Sequence, residues 1–429
     1  MAEASGTTRL RSILGGSAGN LVEWFDWYAY AAFALYFAPA FFPKGDPTAQ
    51  LLNSAAIFAV GFLMRPLGGW LMGGFADRRG RKAGLTLSVT LMCAGSLLIA
   101  LCPTYAAIGW GAPALLLVAR LLQGLSLGGE YGASAVYLSE MAGERHRGFW
   151  SSFQYVTLIS GQLVALALLL VLQAVLSEAE MTAWGWRIPF AIGACLALAV
   201  WRIRRGLAET DSFHRAERAD APRGRVADLF GRHRRETLLV LALTAGGTVA
   251  FYAYSIYMQK FLANTAGFSK QTASAIMALA LLLFTLLQPA VGALSDRVGR
   301  KPLMAGFGVI GAIVTVPLFT ALEQVRDVLP AFALVMAGLV VLSGYTAINA
   351  VVKAELFPPE IRATGVALPY AISNALFGGT AEYVALWFKS VGVERGFYWY
   401  VAALIALSGI VYLRMRDTRL TSRIAAEAG

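Results

Sequence analysis

Twelve stretches of the chain stay apolar long enough to cross a membrane. They cover residues 18–42, 50–74, 83–102, 113–138, 149–176, 188–205, 237–262, 271–295, 303–322, 331–353, 364–388 and 397–413. At about 1.5 Å per residue each reaches across a ~30 Å hydrocarbon core. The pattern predicts an all-α membrane protein with twelve transmembrane helices. Lys and Arg gather in alternate connections, the signature of loops retained on the cytoplasmic side, so both termini are expected there. The first twenty residues lack the apolar core of a cleavable signal peptide and lead directly into the first span.

Composition agrees with the pattern. Of 429 residues, 58% are hydrophobic and only 14% charged, where a soluble domain carries about a quarter charged. The net charge of +11 is read as a topology signal and not as a nucleic-acid footprint. Cys93, Cys102 and Cys195 lie in or at the ends of spans without paired spacing, and His146, His214 and His233 fall in loops. Neither a metal site nor a cofactor site is expected. A membrane-embedded enzyme would need a nucleophile with a base, or metal ligands, inside the spans, and the sequence supplies neither. No G-x-x-x-x-G-K-[ST] loop is present to support ATP drive.

The chain repeats itself. "GGFADRRGRK" at 73–82 returns as "GALSDRVGRK" at 292–301, each just after the second span of its half. After the fourth span of each half, Glu140 precedes Arg147 at the same spacing as Glu355 precedes Arg362. Two six-span halves with matching turns describe a parallel repeat. The expected division is 1–205, a first six-helix bundle; 206–236, a basic cytoplasmic linker; and 237–429, a second six-helix bundle. Two readings of the linker stand open: a solvated connector, or short helices lying on the anionic leaflet.

Charges inside the spans carry the candidate chemistry. Arg65 lies about 18 Å deeper than Asp77 along the helix. An arginine there costs roughly 2.5–3.5 kcal/mol to insert and needs a partner or water. Arg120 opens a polar stripe in the fourth span with Gln123, Glu130, Tyr131 and Ser134. Lys353 lies on one face with Tyr345 and Asn349; it either faces that site or snorkels to the nearby surface. Glu23 and Asp26 are one turn apart in the first span, with Tyr30 a turn further. Glu130 follows paired glycines, and Glu382 stands alone in the eleventh span on the side of Tyr370, Asn374 and Gly378. A desolvated carboxylate takes up a proton readily and releases it when a cation or water approaches. Glu23, Asp26, Glu130 and Glu382 are therefore candidate proton carriers. The alternative is static ion pairs, such as Asp26 with Arg65 or Glu130 with Arg120.

The twin turns resemble the signature loop of the major facilitator superfamily. "GNLVEWFDWYAY" (19–30), "GFLMRPLGGWL" (61–71), "RLLQGLSLGGEYGAS" (120–134), "SSFQYVTLISGQL" (151–163), "WGWRIPF" (184–190) and "GGTAEYVAL" (378–386) narrow the likeness to its metabolite:proton symporter family, over nearly the whole chain. The resemblance implies the major facilitator fold, a bacterial inner membrane, a monomer, and a symporter that imports α-ketoglutarate or a related dicarboxylate with protons. Citrate, shikimate or a zwitterionic osmolyte are the alternative cargoes. The chain ends without the long heptad extension of an osmosensing member of the family, which weighs against the last. It also implies a cytoplasmic latch at Asp77, Arg81, Asp296 and Arg300, extended to Glu140 with Arg147 and Glu355 with Arg362; simple topology anchors are the other reading. Arg65, Arg120 and Lys353 are expected to bind the anion, because guanidiniums offer a carboxylate two parallel donors. Tyr30, Tyr155 and Asn374 are expected to line the cavity. Proton co-transport offsets the cost of importing an anion against the membrane potential, about 2.3 kcal/mol per charge per 100 mV.

Overall fold

In a computed structural model the backbone is described for residues 6–79, 81–128, 130–142, 144–205, 226–359 and 361–426. Side chains are described within these from residue 21 on, apart from those at 73–74, 76–79, 81–85, 130, 132–134, 137, 141, 144, 200, 203–205, 227 and 425–426. Among the described residues every regular element is helical.

The twelve spans appear in order. The first three are Gly6–Phe41, Pro47–Arg79 and Arg81–Leu101. The fourth is two helices, Gly111–Leu127 and Glu130–Met141. The fifth and sixth are Arg147–Val175 and Ile188–Arg205. The seventh runs from Arg234–Phe251 through a π-turn, Tyr252–Tyr257, into Met258–Asn264. The eighth and ninth are Lys270–Val298 and Arg300–Gln324. The tenth breaks between Val328–Thr346 and Asn349–Leu356. The eleventh passes from Arg362–Ser373 through a second π-turn, Asn374–Gly378, into Ala381–Ser390, and Arg395–Arg414 is the twelfth. The first helix starts well before its membrane-grade stretch. Backbone hydrogen bonding continues past the point where apolar composition stops, so hydropathy misplaces that end.

Lipid-facing sides are apolar: Leu286, Ile313 and Leu407 are all exposed. Polar side chains turn inward instead, the reverse of a soluble bundle. Without a hydrophobic drive between helices in lipid, close approach depends on small residues. The fifth and eighth spans meet in this way. A side chain added at Gly148 would strike Ser295 and the Gly292 carbonyl, and one added at Gly292 would strike Gly148. A second seam joins the second span to the eleventh, where Gly379 lies against the Phe62 ring. Within the first bundle, Gly124 of the fourth span meets the Gly61 carbonyl of the second.

The broken spans have local causes. In the tenth, the Asn349 amide donates to the Thr346 carbonyl at 3.0 Å, covering an acceptor that the break frees. In the eleventh, Pro369 removes a ladder donor just before the π-turn. Such i→i+5 turns recur at functional sites, and both here face the interface between the bundles.

Candidate transport site

Both span arginines turn into the protein. Arg65 is 4% exposed and Arg120 fully buried. The Arg65 guanidinium lies 4.8, 5.0 and 4.9 Å from the ring centres of Trp24, Trp27 and Phe62. Arg120 lies 3.8 Å from Trp27, 4.4 Å from Tyr30 and 5.1 Å from Phe58. Aromatic faces attract a desolvated cation; the run of aromatics between 24 and 30 puts Trp24, Trp27 and Tyr30 on the first span, and Phe58 and Phe62 come from the second. The Tyr30 hydroxyl donates to the Ser54 carbonyl at 3.0 Å, which fixes the ring beneath Arg120.

Asp26 of the first span is held by two others. Ser96 Oγ donates to Asp26 Oδ1 at 2.6 Å and Gln123 Nε2 to Asp26 Oδ2 at 2.6 Å. Arg120 Nη1 in turn donates to Gln123 Oε1 at 2.8 Å. Asp26 therefore reaches Arg120 through Gln123, and the direct pair with Arg65 weighed from the sequence is replaced by the aromatic cage. Arg120 keeps two groups, Nε and Nη2, without a hydrogen-bond partner among the described residues. Glu23 is buried one turn before Asp26. The side chain of Glu130 lies outside the described residues.

Lys353 does not snorkel. It is fully buried, donating to Asn349 Oδ1 at 2.8 Å and lying 4.2 Å from the Tyr370 ring centre. Tyr131 of the first bundle donates to the same Asn349 oxygen at 3.0 Å and stacks on Tyr370 at 3.6 Å. The break in the tenth span turns Asn349 and Lys353 toward this bundle-to-bundle contact. Tyr155 is buried beside Tyr370 and Asn349. Asn374, in the second π-turn, accepts from Thr248 at 2.5 Å, while its amide nitrogen is buried without a partner among the described residues.

Glu382 is not alone. Its Oε1 lies 2.8 Å from Lys260 Nζ, with side-chain exposures of 4% and 0%. Sequence reasoning missed Lys260. The signal was present, an ionisable residue within the predicted seventh span, but it stands near the end of that stretch in "YMQKFLAN" and joins no periodic polar face.

On the face that carries the charged turns, the expected pairs cross between the bundles. Glu140 of the first bundle meets Arg362 of the second at 2.5 Å, and Arg147 meets Glu355 at 3.7 Å. Pairing within each half, as the equal spacing suggests, does not occur. Asp296 accepts from the Gly148 and Phe149 backbone at 2.8 and 2.9 Å. A carboxylate of one bundle thus caps the fifth-span helix of the other, where the helix dipole favours an anion. Arg300 binds Asp296 at 2.9 Å and approaches Glu355 at 3.7 Å. The segment after the twelfth span joins this network unforeseen. Asp417 accepts from the Arg300 and Lys301 amides at 3.1 and 3.2 Å, Thr418 donates to Glu355 at 2.6 Å, and Ser422 accepts from Arg147 at 3.3 Å. The side chains of Asp77 and Arg81 lie outside the described residues.

Contacts also close the opposite face. Gln162 donates to the Ser255 carbonyl at 2.8 Å, and Lys270 pairs with Glu178 at 2.7 Å. The structure is therefore joined between bundles on both sides of a buried, charged and aromatic centre. Two helical bundles around such a centre define a secondary transporter and not an enzyme.

Comparison with known proteins agrees. The Major Facilitator Superfamily model matches residues 16–381 and 258–428, and the chain belongs to that superfamily. It is 53% identical over 407 residues to the alpha-ketoglutarate permease of Escherichia coli strain K12, covering 95% of this chain and 94% of the relative. It is 32% identical over 424 residues to the citrate-proton symporter of Klebsiella pneumoniae, covering 97% and 94%. Among solved structures it resembles the proton:xylose symporter XylE bound to 6-bromo-6-deoxy-D-glucose, with a TM-score of 0.71, 17% identity and coverage of 97% and 98%; that likeness concerns the fold.

Proposed function

We propose that the protein is a proton-coupled symporter that imports α-ketoglutarate or a closely related dicarboxylate by alternating access. The observation that carries this is the pair of buried guanidiniums, Arg65 and Arg120, with Arg120 holding unused donors. A buried donor without a partner costs about 1–3 kcal/mol. Such a group earns retention when an incoming carboxylate completes it. The identity to the alpha-ketoglutarate permease and the likeness to a citrate-proton symporter support an organic acid cargo and the proton as its partner.

In this reading Arg65, Arg120 and Lys353 take the cargo's carboxylates, and Tyr30, Tyr155 and Asn374 shape the cavity. Glu23, Asp26, Glu130 and Glu382 are the candidate proton carriers. Asp77, Arg81, Asp296, Arg300, Glu140, Arg147, Glu355 and Arg362 form the gate on the charged-turn face. The moving bodies are residues 1–205 and 237–429, joined by a linker at 206–236. The protein works as a monomer in a bacterial inner membrane, with both termini cytoplasmic. Rocking the bundles breaks the crossed pairs on one face while the other closes, and no chemical bond in the cargo changes.

The test uses purified protein in liposomes with an acid-outside gradient and labelled α-ketoglutarate. Accumulation that collapses with the gradient, and is displaced by unlabelled α-ketoglutarate far better than by citrate, shikimate or betaine, is the expected result. Absence of gradient-driven uptake of every organic acid in the panel would overturn the reading.

A further inference from the structure

Lys260 and Glu382 form a buried ion pair that the anion site around Arg120 does not use. We propose that Lys260 is a second carboxylate subsite for the cargo, filled by Glu382's own carboxylate in the empty transporter and vacated when Glu382 takes a proton. The proposal rests on the dicarboxylate–proton reading above and deepens it.

Burial is the first argument. An ion pair taken out of water is no better for stability than well-packed apolar groups of the same volume, so its presence needs another reason. The pair is also incomplete. Beyond the 2.8 Å contact, Lys260 Nζ has no hydrogen-bond partner among the described residues, and neither has Glu382 Oε2. An ammonium has three donors, and here they address a single carboxylate oxygen. A site built only to be static would close those valences.

Position is the second argument. Lys260 follows directly on the seventh span's π-turn, and Glu382 follows on the eleventh span's. Both turns face the other bundle. Tyr30 of the first bundle lies within electrostatic reach of Glu382 while its ring carries the Arg120 guanidinium at 4.4 Å. Gly379, one turn before Glu382, rests on Phe62, whose ring lies 4.9 Å from Arg65. The pair therefore borders the same centre as both arginines. A dianion held at one end by guanidinium takes a cation at the other end, and Lys260 supplies one in addition to Lys353.

The charges balance through a cycle. In the empty state the Glu382 carboxylate neutralises the Lys260 ammonium. A proton from outer water bonds to a Glu382 oxygen and leaves a neutral carboxylic acid, so the ammonium loses its counter-ion. A cargo carboxylate takes that place. After the bundles rock, the cargo leaves inward, the acid's O–H bond breaks, the proton passes to inner water and the carboxylate returns to Lys260. Among the described residues, the charged and titratable groups facing Glu382 are Lys260 and Tyr257 of the seventh span and Tyr30 of the first. The second and twelfth spans pack on the same helix and, among the described residues, form no ion pair with Glu382; at the far end of that helix Lys389 pairs with Glu394 at 3.3 Å.

Four variants test this: K260Q, K260R, E382Q and the double K260Q/E382Q. Binding and transport of labelled α-ketoglutarate are measured across pH. E382Q should bind at alkaline pH as tightly as the wild type binds at acid pH, continue to exchange labelled for unlabelled cargo, and lose gradient-driven accumulation. K260Q should weaken binding about tenfold or more, as expected for a lost charge-assisted hydrogen bond, with K260R recovering most of it. The neutral double variant should fold and still fail to accumulate. If the double variant transports like the wild type, or if K260Q keeps wild-type affinity, the subsite is overturned and the pair is structural. If the wild type itself accumulates no dicarboxylate, the symporter reading falls and the subsite with it.

Discussion

Among the described residues, and leaving aside Arg147, Arg300 and Arg362 on the charged-turn face, the buried cations of the first bundle are arginines, Arg65 and Arg120; those of the second are lysines, Lys260 and Lys353. The difference follows what surrounds them. The guanidiniums lie among Trp24, Trp27, Tyr30, Phe58 and Phe62, and Gln123 ties Arg120 to Asp26. A planar, weakly hydrated ion suits such a cage and is held there. The ammoniums are point charges on flexible stems, beside groups that can change partner: Asn349 and Tyr131 for Lys353, and Glu382 for Lys260. On the proposed reading, one bundle presents a fixed anion receptor, and the other presents cations that trade contacts as the bundles move.

The largest effect should come from breaking the fixed receptor. Arg120→Lys removes the planar donor set and the stacking, and leaves Asp26 less well compensated. Losing one partner of a buried charged network costs about 3–5 kcal/mol, or about two to four orders of magnitude in kcat/KM for α-ketoglutarate uptake. Lys353→Arg should cost far less, and near-normal transport by Arg120→Lys would erase the contrast. Next comes Asp296→Asn, which removes the anion capping the fifth-span helix across the interface. A shift of about 1–2 kcal/mol in the balance between open and closed forms of the charged-turn face is expected, read as spin-label distances between the fifth and eighth spans. Glu140→Gln acts on a half-exposed carboxylate and should move the same distances by about 1 kcal/mol or less. Lys270→Ala on the opposite face should be smallest. Its pair with Glu178 is 34% and 72% exposed, so melting temperature and uptake should change by no more than about 0.5 kcal/mol equivalent.

The charged-turn face shows where sequence spacing stops being informative. Equal spacing in the two halves identifies Glu140, Arg147, Glu355 and Arg362 as a matched set, yet says nothing of which acid meets which base. The crossed pairing arises because the fifth and eighth spans approach through Gly148 and Gly292, bringing opposite charges of opposite bundles together. Asp417, Thr418 and Ser422 carry no motif and enter the network because the chain after the twelfth span folds back across that face. Asp26 is a similar case, since its partners Ser96 and Gln123 come from the third and fourth spans.

Hydropathy by itself determined the twelve spans and their all-helical character, and the recurring charged turns showed the two-fold repeat. In oil every backbone group must be satisfied within a helix, so a long apolar run has one available structure. The sequence also picked out Arg65 and Arg120 as candidates, because a guanidinium in a span is expensive wherever it points. Only the tertiary structure decided the partners: the aromatic cages, the Lys260–Glu382 pair, the inward turn of Lys353 and the crossed ion pairs of the charged-turn face. Each depends on two π-turns, a broken helix and glycine contacts that rotate side chains about their helix axes, and a rotation of that kind leaves no trace in a one-dimensional pattern.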